Sequence, residues 1–181
     1  DTVCAVMLEP VQGEGGVFAC DPEYLRKVRA LCDARGVLLI FDEVQCGLYR
    51  TGPAFSHHTA GIRPDILTVA KALANGLPAG AVLARSAIAD TFAAGDHGST
   101  FAGGPVVCAA ARATLTALAG ERLGENAVAM GSVLSAGLEH LAEETAHLPA
   151  VVVDGLPAAE HRVHLASRER ISDGAGGAEA V

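Results

Sequence analysis

The chain has 181 residues, which is enough for one domain with its own hydrophobic core and short for two. Half of the residues are apolar and the mean hydropathy is +0.34, so the composition favours a packed α/β protein over a disordered one. The net charge of −8 is spread along the chain without a basic stripe. Nucleic acid is therefore not expected as a partner.

The five cysteines show no C-x-x-C spacing, so neither a zinc site nor a disulfide framework is indicated. We interpret each cysteine as a small, buried, apolar residue in a reducing compartment. No apolar run reaches the ~18 residues that a membrane-spanning helix needs. The opening DTVCAVMLEP lacks the basic start of a signal peptide. We expect a soluble, cytoplasmic protein without a metal site.

The first predicted elements are a strand and a helix. CAVML at 4–8 is an apolar run that ends before Glu9 and Pro10. Asp21 is a helix N-cap, with Pro22 in the first turn and Gly36 after the last one. The apolar stripe expected for this helix consists of Leu25, Val28, Leu31 and Cys32.

Three further strands are predicted at 37–41, 66–70 and 81–84. Helical patterns follow over 105–118 and 122–147. Because the strands are apolar throughout, we expect helices on both faces of a largely parallel α/β sheet. The run VVVDG at 151–155 is a further strand candidate, and we expect 157–181 to be a poorly ordered tail.

Charged residues follow the predicted strands at the edge where α/β sheets bind ligands. Glu9 follows the first strand, Asp42 and Glu43 follow the second, and Lys71 follows the third. Any one of them alone could be the first solvated residue of a loop. Lys71 is one of only two lysines in the chain.

The segment VLLIFDE has two interpretations. As a Walker B strand it requires a G-x-x-x-x-G-K-[ST] phosphate loop, and neither Lys27 nor Lys71 follows such a loop. Alternatively, Asp42 and Lys71 act together on pyridoxal phosphate (PLP). That cofactor needs a lysine to hold its aldehyde and a carboxylate to keep its ring nitrogen protonated.

Four segments resemble the consecutive signature blocks of the class III PLP-dependent aminotransferases, with the acetylornithine and ornithine aminotransferases most similar. These segments are LEPVQGEGG (8–16), LLIFDEVQCGLYRTG (38–52), RPDILTVAKALANGLPAGAVLA (63–84) and HGSTFAGGP (97–105). The resemblance covers about 3–148. It implies a PLP-dependent transferase of fold type I, of which this chain carries part of the large domain, an incomplete and mostly parallel sheet covered by helices.

The resemblance implies a role for each matching residue. Lys71 would bond to the cofactor aldehyde and, once displaced by the substrate amine, move the proton from substrate Cα. Asp42 would pair with the pyridinium nitrogen. Val44 would pack on the ring, and Gln45 would bind the ring's phenolic oxygen. Without the resemblance, Val44 is equally well a core residue and Gln45 a loop amide.

Further roles concern the subunit interface and the substrate. Ser99 and Thr100 would reach the cofactor phosphate of a neighbouring subunit, which implies a homodimer; without the resemblance they form a turn or helix cap. Glu14 resembles the family's gate carboxylate toward a substrate-binding arginine, and Glu9 would lie beside the cofactor. The family usually has Asn where Gly104 stands, so the geometry of the Thr100 loop is expected to differ.

The chain's histidines are not expected to carry the chemistry. His57 and His58 are adjacent, so they cannot share one metal as an i, i+4 pair does, and both are expected at the surface. His97 is expected to shape the HGST loop. Arg50 and Arg63 are interpreted as structural.

The resemblance also divides the chain into parts. Residues 1–120 would be the second half of the PLP-binding large domain, 121–150 a helix leading toward a small C-terminal domain, and 151–181 a divergent tail. The family's phosphate loop, ring-stacking aromatic residue, substrate arginines and RGRGL-like strand have no match here. We interpret the chain as an internal fragment, through truncation or a shifted reading frame, that binds PLP weakly when isolated.

The implied reaction is a transamination from N-acetylornithine or ornithine to 2-oxoglutarate, in which the amino group rests on the cofactor in between. Two alternatives remain at this point. One is a PLP-dependent aminomutase of the glutamate semialdehyde type. The other is a noncatalytic remnant that keeps the fold.

Overall fold

The structure is a computed structural model that describes residues 2–144, with the side chains of 2–141. The predicted strand at 151–155 and the predicted tail lie outside the described residues. The strands are β1 (Ala5–Leu8), β2 (Val11–Gln12), β3 (Phe18–Ala19), β4 (Leu38–Asp42), β5 (Ile66–Val69) and β6 (Ala81–Ala84). The helices are α1 (Pro22–Arg35), α2 (Ser86–Ala89), α3 (Pro105–Gly120) and α4 (Leu123–Glu144), with short 3-10 helices at Ser56–Ala60 and Lys71–Ala74.

The main sheet of the described residues has four strands in the order β1-β4-β5-β6. β4 pairs in parallel with β1 and β5, and β6 joins β5 in antiparallel orientation. The four predicted strands are therefore all found, and the mixed, mostly parallel sheet is confirmed. Leu39 and Phe41 of β4 are fully buried and place this strand at the centre of the core.

Helix α1 begins and ends where its caps predict. The Asp21 carboxylate accepts hydrogen bonds from the Glu23 and Tyr24 N–H groups at 2.7 and 3.1 Å, and Gly36 adopts the left-handed conformation at φ 63°. Leu25 and Cys32 are buried as expected. Leu31 is 56% exposed, so its predicted core position is wrong, and Arg29 is buried instead.

The two faces of the sheet are not equally covered. Leu39, Phe41, Leu67 and Val69 belong to the core, which Leu25 and Cys32 of α1 complete. On the opposite face, Met7 and Val82 are 56% and 67% exposed. Burial on both faces, which the uninterrupted apolar strands predict, is therefore not seen among the described residues.

Helix α3 lies between the segment that follows β5 and the last described helix. It packs against the 3-10 helix Lys71–Ala74 and against α4. Pro105 occupies its first turn after Gly104, and this helix start is confirmed. Within residues 2–144, no helix combines the length and the apolar character needed to cross a membrane.

A buried carboxylate, Asp65, ties α1 to the sheet. Its Oδ2 accepts hydrogen bonds from Arg29 Nη1 and Leu39 N, both at 2.7 Å, and its Oδ1 lies 3.1 Å from Arg85 Nη1. Burial alone would raise the pKa of Asp65, but the Leu39 and Arg29 hydrogen bonds and the two guanidinium charges outweigh it and lower this pKa. Asp65 therefore stabilises the fold in its charged form.

We predict that Asp65→Asn lowers the free energy of unfolding at pH 7 by about 3 kcal/mol, because it removes the buried counter-charge of Arg29 and leaves only the exposed Asp33. A carboxylate with a depressed folded-state pKa stabilises above its unfolded pKa of about 3.9, and this contribution is lost as the pH falls through the folded value. Urea unfolding at pH 7 and near pH 3 measures the difference, which should shrink in acid. Asp33→Asn is the matched control, since Asp33 also pairs with Arg29 but is 61% exposed. An equal loss at both pH values would contradict the ionic explanation.

Candidate active site

Asp42 and Lys71 lie at the same edge of the sheet. Asp42 is the last residue of β4 and pairs in register with Thr68 of β5, and Lys71 lies two residues after β5 ends at Val69. Lys71 opens a 3-10 helix and has a φ of 43°, a left-handed conformation that costs a non-glycine residue some backbone strain. The predicted placement of both residues at one strand edge is confirmed.

The Lys71 amine is held between two other segments of the chain. Its Nζ donates a hydrogen bond to Gln45 Oε1, and Glu14 Oε1 lies 3.8 Å from Nζ. The Lys71 side chain is 49% exposed, so a small molecule can reach the amine. The structure thus brings together three predicted site residues that are far apart in sequence.

Gly13 allows Gln45 to approach the loop that carries Glu14. A Cβ atom at Gly13 would lie 2.2 Å from Gln45 Cγ, well inside van der Waals contact. Any larger residue at this position therefore forces Gln45 into another rotamer, away from Lys71.

Asp42 keeps part of its acceptor capacity. The Val44 N–H donates to Asp42 Oδ1 at 2.9 Å, and within residues 2–144 no hydrogen bond or ion pair engages Oδ2. The Oγ1 of Thr68, the residue paired with Asp42, is buried and has no hydrogen-bond partner in the same part of the chain. A carboxylate oxygen and a hydroxyl are therefore left available on one face at the end of the sheet.

Glu43, the residue after Asp42, is buried and fully engaged. Its carboxylate accepts from Ser56 N at 2.6 Å, His57 N at 2.9 Å and the His57 ring Nδ1 at 2.7 Å. The expectation that His57 lies at the surface is wrong, because His57 is only 4% exposed; His58 is exposed as expected. Glu43 therefore does not hold a catalytic water, and the Walker B interpretation loses its second carboxylate.

The remaining predicted site residues are not joined to this cluster. Ser99 and Thr100 are exposed, and Ser99 Oγ accepts from Ala102 N at 3.2 Å. Glu9 is half-buried, and its backbone carbonyl accepts from Cys20 Sγ at 3.5 Å. In the described part of the chain, no hydrogen bond or ion pair links these three residues to Lys71 or Asp42.

The cysteines only partly follow the expectation that each is buried. Cys32 and Cys46 are buried and Cys20 is half-buried, whereas Cys4 and Cys108 are exposed, and all five are free thiols. Burial raises the pKa of Cys46 to about 11, with the Glu43 charge adding to the rise and a Ser56 hydrogen bond opposing it. Cys46 is therefore a protonated packing residue at neutral pH rather than a nucleophile.

Known proteins with similar sequences and structures share this arrangement of segments. The family model described as Aminotransferase class-III matches residues 1–165. Acetylornithine aminotransferase of Xanthomonas campestris is 50% identical over 142 residues, which are 78% of this chain and 35% of that protein. Its counterpart in Methanocaldococcus jannaschii is 46% identical over 80% of this chain and 36% of that protein.

Solved structures give the same result. The chain superposes on ornithine δ-aminotransferase of Plasmodium falciparum with a TM-score of 0.78 and 36% identity, covering 84% of this chain and 40% of that one. For acetylornithine aminotransferase of Elizabethkingia anophelis the TM-score is 0.75 and the identity 39%, covering 83% and 38%. The chain spans about a third of the length of the curated relatives that it matches. By sequence and by fold, it belongs to the class III aminotransferase family.

Proposed function

We propose that this chain forms the lysine-and-carboxylate side of a PLP site in an aminotransferase. The amino group is taken from N-acetylornithine or ornithine and passed to 2-oxoglutarate. The observation that carries the proposal is the Lys71 amine, held beside Gln45 and Glu14 at the carboxyl edge of β4 and β5. The donor is chosen because the curated relatives are acetylornithine aminotransferases.

The available groups fit the cofactor chemically. An accessible amine suits its aldehyde, a carboxylate with a free oxygen suits its protonated ring nitrogen, and an amide suits its phenolic oxygen. The buried Thr68 hydroxyl, without a partner among residues 2–144, is a further polar atom for a polar ligand. PLP, when bound, supplies the carbonyl that receives the amino group and a ring that withdraws electrons from the substrate Cα.

Lys71 has two tasks in this scheme. Its Nζ would hold the cofactor through the aldehyde carbon. The same amine, when free, would act as the base that moves the proton of the substrate Cα. Gln45 and Glu14 orient the amine for this transfer.

Asp42 holds the ring nitrogen in its protonated form. Each unit by which the Asp42 charge raises the pKa of that nitrogen corresponds to about 1.4 kcal/mol in favour of the protonated ring. The Val44 N–H donates to Asp42 Oδ1 and fixes the carboxylate, while Oδ2 remains for the ligand. Val44 itself packs on the ring, and Gln45 binds the phenolic oxygen.

The other assigned residues complete the site from outside this cluster. Ser99 and Thr100, both exposed on the HGST loop, bind the cofactor phosphate of a second subunit in a homodimer. Glu14 closes the substrate side by pairing with a substrate-binding arginine, and Glu9 lies beside the cofactor. We further propose that 1–120 belong to the second half of the large domain and that α4 leads out of it; 145–150 lie outside the described residues.

Lysine fixation tests the assignment of Lys71. Incubation with PLP followed by borohydride should attach the pyridoxyl group to the peptide containing Lys71, because its amine is accessible and oriented. Peptide mass spectrometry measures the adduct. Lys71→Ala should abolish it and Lys27→Ala should not, since Lys27 lies on the outer side of α1 in an exposed pair with Glu23. Equal labelling of Lys27 and Lys71 would count against a site.

For Asp42, Asp42→Asn is the sharpest substitution. Asn keeps an oxygen for the Val44 N–H but loses the charge that the ring nitrogen needs. We expect PLP binding to weaken about tenfold or more, corresponding to at least about 1.4 kcal/mol. An absorbance titration with PLP measures the dissociation constant, with the exposed Asp90→Asn as control. Unchanged affinity would show that Asp42 does not pair with the ring.

The purified 181-residue chain is expected to bind PLP weakly and to show no detectable transamination, because it spans only about a third of its relatives' length. A coupled assay with N-acetylornithine and 2-oxoglutarate measures the rate, and a robust rate from the chain alone would contradict this expectation.

A chimera tests the reaction itself. The 142 matched residues replace their counterparts in the Xanthomonas campestris relative. This chimera should transaminate N-acetylornithine, and its Lys71→Ala form should not. A folded chimera that binds PLP without transaminating would overturn the proposed reaction.

A further inference from the structure

The loop between β4 and the first 3-10 helix is closed by one buried side chain. Glu43 is the first residue of this loop, and Ser56 and His57 begin the helix at its far end. Oε2 of Glu43 accepts from Ser56 N at 2.6 Å, and Oε1 accepts from His57 N at 2.9 Å and His57 Nδ1 at 2.7 Å. Since a carboxylate only accepts, the His57 ring donates from Nδ1.

This closure is buried on all sides. The Glu43 side chain is fully buried, and His57 is 4% exposed. The His57 ring stacks on Phe55 at 5.7 Å between ring centroids and lies 5.9 Å from Phe41. Burial of a carboxylate is costly unless charge-assisted hydrogen bonds compensate for the lost water, and here three nitrogen donors and, more weakly, the Cys46 thiol at 3.8 Å converge on it. The orientation of Glu43 is consequently fixed.

Glu43 also fixes the turn that carries Gln45. The Glu43 N–H donates to Thr68 O of β5 at 3.0 Å, and its carbonyl accepts from Gly47 N at 2.9 Å. Ser56 Oγ donates to Cys46 O at 3.0 Å. This is a second hydrogen bond between the far end of the loop and the turn that carries Gln45. A Cβ at Gly47 would lie 2.7 Å from Glu43 O, which shows how closely the turn is folded.

We propose that the buried Glu43–His57 pair is a positioning device, which fixes the turn 43–47 so that Gln45 Oε1 meets Lys71 Nζ and Val44 holds Asp42. In the described part of the chain, neither Glu43 nor His57 makes a hydrogen bond or ion pair with Lys71 or with the Asp42 carboxylate. The link to cofactor affinity rests on the proposed function, but the effect on the Lys71 amine does not, because the Gln45–Lys71 contact exists in the chain itself.

Two substitutions of His57 distinguish the effect of its hydrogen bond to Glu43 from the effect of its size in the core. His57→Phe keeps an aromatic ring beside Phe55 and Phe41 but removes the Nδ1–H donor. His57→Asn is the conservative variant, because its side-chain amide can donate to Glu43 from a similar distance along the side chain. The matched control is His58→Phe, which alters the adjacent exposed ring.

The first readout reports on Lys71 without any cofactor. Reductive methylation with 13C-formaldehyde labels Lys27 and Lys71, the only two lysines, together with the α-amino group. A dimethylated lysine keeps one N–H, so the contact with Gln45 persists. We expect His57→Phe to move the Lys71 methyl resonance toward its position in a Gln45→Ala reference, while Lys27 stays unchanged. His57→Asn and His58→Phe should leave both resonances near their wild-type positions.

The second readout is cofactor affinity. His57→Phe should weaken PLP binding about tenfold, equivalent to about 1.4 kcal/mol, with His57→Asn restoring most of it. A role in stability alone predicts a lower melting temperature but wild-type Lys71 resonances and PLP affinity in the folded variants, and that result would overturn the proposal. Circular dichroism confirms folding at the temperature used.

Ser56→Ala is a second test, which applies if the His57→Phe variant does not fold. It removes the Oγ donation to Cys46 O and the Oγ contact with Thr51 Oγ1 but keeps the three nitrogen donors to Glu43, so a smaller shift of the Lys71 resonance in the same direction is expected. An unmoved Lys71 resonance in Ser56→Ala, with His57→Phe unfolded, would likewise overturn the proposal. If the wild-type chain fails to bind PLP, the proposed function falls, and the methyl resonances still decide the positioning role.

Discussion

The parallel pairing of β4 with both β1 and β5 is the constraint on which the rest of the site depends. Parallel neighbours end at the same edge of a sheet, so the residues after three different strands meet there. Burial of Leu39 and Phe41 holds β4 in the centre and fixes its register with β5. A shift of one residue would turn Asp42 to the opposite face of the sheet and away from its present neighbours.

Buried carboxylates connect the segments that the sheet alone does not join. Asp65 holds α1 against the sheet through Arg29 and the backbone of Leu39, and Glu43 closes the loop after β4. Each would be destabilising alone, and each is compensated by donors from distant parts of the chain. Carboxylates therefore have a structural role at Asp65 and Glu43 and a proposed cofactor-binding role at Asp42, one residue before Glu43.

Much of the strand framework could be predicted from sequence because short apolar runs with charged residues after them have few other interpretations. The proximity of Asp42 and Lys71 followed from that framework, and the signature blocks supplied the family. The partners of Glu43 and Asp65 could not be predicted. His57 lies 14 residues beyond Glu43, and Arg29 lies 36 before Asp65. No local pattern encodes pairs at such distances. Leu31 is exposed and Arg29 is buried because a partner for the guanidinium, rather than helical periodicity, decided which of the two side chains packs inside.

Because Glu43 closes the loop, the residues of the turn after β4 become ordered during folding rather than on ligand binding. The loop runs over residues 43–55, and because the entropy of loop closure grows only slowly with length, joining its ends costs a modest amount of chain entropy once β4 and β5 have paired. Gln45 therefore faces Lys71 as a result of folding, before any ligand arrives. Binding then does not have to freeze a mobile segment, and more of the interaction energy with the ligand appears as affinity. The part of the proposed site that residues 2–144 carry is therefore preorganised.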